Sequence, residues 1–140
     1  MECGARLETR QLAGEGDIPF CSACNQFRFP VFSTATSMIV LNDARDSVLL
    51  IKQYGTDFWR LVAGYVNKGE AAEHTVIREL QEELGITLTE SQLSFNHSGY
   101  FAKSNTLMLN FICASSLDAA DASAIHPNDE IDSWCWFSLQ

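Results

Sequence analysis

Positive charge is scarce in this 140-residue chain: nine Lys and Arg stand against 18 Asp and Glu, a formal net charge of −9. A protein that tracks a nucleic-acid backbone needs clustered cations, so the balance argues against nucleic acid as a partner. A small phosphorylated ligand is compatible with it, because a bound cation reverses the sign of a local acidic site. No apolar run approaches the roughly 20 residues of a membrane span. The opening MECGARLETR is charged and lacks the apolar core of a secretory signal. These absences predict a cytoplasmic protein without a membrane partner. Cysteine is present in odd number, five, and a cytoplasmic setting disfavours disulfides.

What remains is a chain 46% hydrophobic and long enough to bury one core. It reads as two unequal regions. Residues 1–30 hold Cys3, Cys21, Cys24 and several glycines with little periodicity, which predicts a small loop-rich knuckle. From residue 31 to 140 the pattern is globular. TSMIVL (36–41) and SVLLIK (47–52) flank the turn cluster NDARD and predict a hairpin. FWRLVAGY (58–65), LSFNHSGYFAK (93–103), TLMLNFICA (106–114) and EIDSWCWFS (130–138) read as further strands. Cys113 and Cys135 fall in these strands and are expected to be small buried hydrophobes.

Between them lies a helix, about residues 71–84, with Val76, Ile77, Leu80 and Leu84 as its apolar stripe and Gly85 as its stop. Glu79, Glu82 and Glu83 are expected beside or opposite that stripe. At i, i+3 and i+4 their like charges cost about 0.2–0.5 kcal/mol per pair on an isolated helix. Spacing alone leaves two readings open, an ordinary solvated acidic face with Glu82 paired to Arg78 four residues before it, and a cluster that the chain uses.

The stretch GYVNKGEAAEHTVIRELQEELGI resembles the Nudix box, G-x5-E-x7-R-E-U-x-E-E-x-G-U with U apolar, at every specified position: Gly64, Glu70, Arg78, Glu79, Leu80, Glu82, Glu83, Gly85 and Ile86. The resemblance implies an α/β fold, a Nudix α/β/α sandwich built on a mixed sheet. It implies Mg²⁺ or Mn²⁺ held mainly by Glu79 and Glu83, with Glu82 as a further ligand or the water-activating group. It also implies an Arg78–Glu70 pair that fixes the loop before the helix, and a Gly64 carbonyl that completes the metal shell. Near the C-terminus Glu130 stands where the family's NADH pyrophosphatase branch places another metal-binding glutamate, with Asp129 beside it.

That branch carries a zinc ribbon ahead of the Nudix domain, and Cys3-x17-Cys21-x2-Cys24 resembles three quarters of one. A structural Zn²⁺ would therefore sit on Cys3, Cys21 and Cys24, although closed sites take four ligands. The branch's second signature, S-Q-P-W-P-F-P-x-S, is matched loosely by SGYFAKSNT (98–106). Ser98 agrees, Phe101 replaces the Trp, Lys103 replaces the Phe, and the prolines are absent. Tyr100 and Phe101 are expected to stack on a base or nicotinamide ring, and Lys103 or Ser104 to meet phosphates. The resemblance thus implies hydrolysis of a nucleotide diphosphate of the NAD(H) or ADP-ribose kind by a homodimer. The competing reading is a catalytically silent nucleotide sensor, which the unbroken box disfavours.

Overall fold

The computed structural model describes residues 3–140, which form two compact units, 3–32 and Ser33–Gln140. The first is more regular than the sequence suggests. Strands β1 (Glu8–Leu12), β2 (Gly16–Cys21) and β3 (Gln26–Phe27) make an antiparallel sheet in that order. Its strands are polar or interrupted by glycine and proline, so hydrophobic periodicity gave no signal; backbone pairing and a few rings hold them. Phe20 packs edge-on against Phe27 at 5.0 Å, with the Arg10 guanidinium 3.8 Å above the Phe20 ring.

The second unit contains strands β4 (Ser33–Leu41), β5 (Ser47–Gln53), β6 (Val62–Tyr65), β7 (Leu93–Phe101), β8 (Thr106–Ala114) and β9 (Ile131–Ser138), with helix α1 (Ala72–Leu84). The sheet order is β7-β8-β4-β5-β9, with β6 also on β4. β4 and β8 run parallel, and the other pairs are antiparallel, so the sheet is mixed. Period-two alternation puts Met38, Val40, Leu49, Ile51, Phe111 and Cys113 into one buried layer. Val76, Leu80 and Leu84 of α1 close it from one side. Among the described residues α1 is the one α-helix, and none is long and apolar enough to cross a membrane. The second helical layer of the expected sandwich is not among them.

The predicted hairpin forms, closed by Asn42, whose Oδ1 accepts from the backbone N–H groups of Asp46 and Ser47 at 3.1 and 3.0 Å. Its strands pair only at Leu41↔Val48. Further along, β6 takes over that edge of β4, from Ala35↔Tyr65 to Met38↔Val62. The stretch expected as one strand over 58–65 is therefore extended pairing only at Val62–Tyr65, preceded by a single bridge, Arg60 to Ile51. This fork carries Gly64 towards α1, whose C-terminus stops at Gly85 in the left-handed conformation (φ 68°).

Two expectations fail on burial. Cys113 is fully buried, but Cys135 is exposed, because β9 points alternate side chains away from the core and Cys135 lies between Trp134 and Trp136. Glu83 is buried, whereas the sequence reading left it off the apolar stripe. It lies seven residues after Val76, nearly two whole turns, and so shares Val76's side of the helix.

Leu80 sits at 0% exposure where α1 meets the sheet. Leu80→Ala should cost about 2–5 kcal/mol in denaturant unfolding. A loss below about 1 kcal/mol would show that α1 is not packed as described.

Candidate active site

Arg78 organises the Nudix-box segment. Its Nε donates to Glu70 Oε1 at 2.7 Å and its Nη2 to Glu70 Oε2 at 3.0 Å, a two-pronged pair. Its Nη1 donates to Glu79 Oε1 at 2.8 Å and to Glu82 Oε2 at 3.2 Å, and Nη2 also reaches the Tyr65 carbonyl. One guanidinium thus binds three carboxylates and ties the 65–70 loop to the helix. The Arg78 contact, with help from the Asn67 N–H, holds the Glu70 carboxyl down at about 2. The same carboxylates, Glu70 foremost, push the Arg78 guanidinium up.

Glu83 stands apart from this network. It is 5% exposed, and its Oε2 is buried with no hydrogen-bond partner. Burial, reinforced by the charges of Glu79, Glu130 and Glu82, lifts its pKa from 4.5 to about 7. Gly64 abuts Glu79: a Cβ there would overlap the Glu79 carboxylate, so no other residue fits without moving it. The Gly64 carbonyl accepts a long hydrogen bond, 3.4 Å, from Thr36 Oγ1.

Glu79, Glu82, Glu83, Glu130 and Gly64 all line one cleft of about 590 Å³. Glu130 arrives from the start of β9, accepting the Tyr54 hydroxyl on Oε2 at 2.7 Å. Tyr54 follows β5, and the carboxylate it meets raises its own pKa. Tyr54 and Arg60 line the cleft as well. Sequence reasoning missed both; the only available signal was their position flanking the two strands that frame the box. Of the residues expected to meet substrate, Phe101 and Ser104 line the cleft, whereas Tyr100 and Lys103 do not. Consecutive strand residues point to opposite faces, so Tyr100 and Phe101 are not a stacking pair. The Tyr100 hydroxyl instead donates to Asn105 Oδ1 at 2.5 Å.

In the other unit the sulfurs of Cys3, Cys21 and Cys24 lie within 4.8 Å of one another, with Cys3 and Cys21 at 3.4 Å. Proton sharing with Cys24, aided by the Ala5 backbone and Cys21, brings the Cys3 thiol down to about 7. The same sharing raises Cys24 to about 11. No fourth His, Cys, Asp or Glu among the described residues joins the group.

The NUDIX domain family matches residues 32–140. This chain belongs to the Nudix family. It is similar to the NAD-capped RNA hydrolase NudC of Pseudomonas aeruginosa, 30% identical over 98% of this chain and 46% of that protein. The chain thus spans about half the length of that curated relative. Its fold resembles a MutT/nudix family protein from Enterococcus faecalis (TM-score 0.64, 23% identity, 79% of this chain and 45% of that one). It also resembles the NUDIX domain of Shewanella oneidensis NrtR complexed with ADP ribose (TM-score 0.61, 16% identity, 79% and 75%). The acidic side chains lining this Nudix cleft are four carboxylates, one with a buried, unpartnered oxygen, and this hard oxygen set fits Mg²⁺ or Mn²⁺.

Because burial raises the Glu83 pKa, the folded chain holds that proton more tightly than the unfolded chain does. The stabilisation is complete below about pH 4.5 and is lost as pH rises through about 7. In chelator, Glu83→Gln should therefore gain on wild type between about pH 5 and about pH 8, by on the order of 1–3 kcal/mol in urea unfolding. A gap that stays constant over that range would show that the carboxyl does not sit dry.

Proposed function

We propose that the chain is a pyrophosphohydrolase that cleaves a nucleoside diphosphate linked to another moiety, of the NAD(H) or ADP-ribose kind, with Mg²⁺ or Mn²⁺. The observation that carries this reading is the orphaned, buried Glu83 Oε2 facing a cleft shared with three more carboxylates. Four glutamates gathered with one unpartnered oxygen repel one another when ionised, and a cation among them relieves that repulsion. Glu79, Glu83 and Glu130, with Glu82 and the Gly64 carbonyl, are the residues that would hold the ion. Bound there, it would neutralise diphosphate oxygens and make water more acidic.

The chain's own residues supply the rest. Arg78 keeps Glu79 and Glu82 oriented, and Glu70 keeps Arg78 in place. Glu82, the most exposed of the three helix carboxylates at 58% of its side chain, takes the proton of the attacking water. The water oxygen bonds to one phosphorus, and the bridging oxygen leaves with the other phosphate, giving two phosphomonoesters. Phe101 offers a face for a base or nicotinamide ring, and Ser104 a hydroxyl for a phosphate oxygen.

The Pseudomonas relative is named for NAD-capped RNA, which revises the sequence-based exclusion of nucleic acid. A net charge of −9 disfavours binding along an RNA backbone, but a cap needs to place only its terminal dinucleotide in the cleft. The resemblance of the sequence to the NADH pyrophosphatase branch is the support for a homodimer, and composition the support for a cytoplasmic location.

Assayed on NADH, ADP-ribose and NAD-capped RNA, hydrolysis should appear only with a divalent ion. Glu83→Gln should lower kcat on the order of 10²-fold or more while the protein stays folded. Full kcat in that variant at saturating Mg²⁺ would remove Glu83 from the metal set, and inactivity of wild type on the whole panel would favour the silent sensor.

The three clustered thiols support a second bound metal, Zn²⁺, on Cys3, Cys21 and Cys24. Elemental analysis should find about one zinc per chain, lost in Cys21→Ser, with Zn–S distances near 2.3 Å by X-ray absorption. Zinc content unchanged by that substitution would discard the site.

A further inference from the structure

The cleft is lined by four glutamates but by a single basic side chain, Arg60. Unlike Arg78, Arg60 has no carboxylate partner among the described residues. Its Nη2 donates to Thr56 Oγ1 at 3.0 Å, and its guanidinium lies 4.2 Å over the Phe58 ring. Its Nε is buried and makes no hydrogen bond. The backbone beneath it is fixed, because Arg60 and Ile51 exchange both N–H···O bonds at 2.9 Å. A guanidinium that is stacked, anchored at one corner and left with free donors is preorganised for a planar, forked anion contact.

We propose that Arg60 is a substrate-binding residue that grips non-bridging phosphate oxygens of the diphosphate through Nη1–H and the remaining Nη2–H, the terminal edge of its guanidinium. This deepens the pyrophosphohydrolase reading and rests on it. The acidic side of the cleft can meet a diphosphate only through a cation, whereas Arg60 meets it directly. Its contribution is therefore to affinity in ground and transition state alike, and its loss should appear in KM rather than kcat. Lys in its place keeps the charge but not the fork.

The test uses two readouts on the whole chain, with thermal unfolding to confirm that the variants fold. In calorimetric titrations with Mg²⁺ and a non-hydrolysable methylene-bridged analogue of ADP-ribose, Arg60→Gln should bind roughly 10- to 100-fold more weakly than wild type, and Arg60→Lys should fall between them. In steady-state assays with Mg²⁺, Arg60→Gln should raise KM for the hydrolysed diphosphate by a similar factor with kcat within about threefold. Equal affinity in Arg60→Gln and wild type, or no saturable binding by wild type, overturns the assignment. Arg60-dependent binding without hydrolysis by wild type would sink the enzyme reading and leave Arg60 standing. Hydrolysis with an unchanged KM in Arg60→Gln would do the reverse.

Discussion

The site depends on one guanidinium. Arg78 sits between Glu70, Glu79 and Glu82 and reaches the Tyr65 carbonyl, so a single cation neutralises part of an acidic cluster and fixes a loop to a helix. Without it, carboxylates at i, i+3 and i+4 would splay into solvent, each with its own rotamer entropy to keep. With it, two of them are held at set positions before any ligand arrives. Gly64 completes the arrangement from the other side, since the space a Cβ would fill already belongs to the Glu79 carboxylate.

The same guanidinium leaves one acid out. Glu83 is turned into the core side of α1, where burial and three neighbouring carboxylates favour its protonated form. Glu70, touching Arg78 directly, is pushed the opposite way. Two glutamates thirteen residues apart thus have pKa values driven in opposite directions by what they touch. That divergence, with Glu83 Oε2 left unsatisfied, is what the proposed cation would resolve.

Much of this was legible in the sequence because it is local. The helix bounds, its glycine stop, strand β8 and the spacing of the box all follow from short-range periodicity and turn chemistry, and β8 (Thr106–Ala114) matches the reading residue for residue. What escaped depends on partners far along the chain. The β4–β5 hairpin looks continuous in sequence, yet β6 displaces β5 from the edge of β4, and only the three-dimensional fork shows it. Tyr54 and Glu130 meet across 76 positions, and no local pattern joins them. The N-terminal sheet was invisible because its strands have almost no apolar face. Glu83 was legible but misread: seven residues from Val76 is a core position, and its charge concealed the period.

Arg60 shows why charge counts alone mislead about ligands. By composition the chain repels phosphates, and its cleft gathers four carboxylates. Yet Arg78, the basic group in contact with those carboxylates, is already spent on them, while Arg60, the one basic side chain lining the cleft among the described residues, is held by a hydroxyl and a ring. Anion recognition depends on which donors remain free after the protein has satisfied its own acids. A diphosphate bound as proposed would meet the carboxylates on the helix side and the Arg60 guanidinium on the other. Those two sides ask for different things, a bridging cation and a direct hydrogen bond, and a diphosphate, with oxygens on both phosphorus atoms, can satisfy both at once.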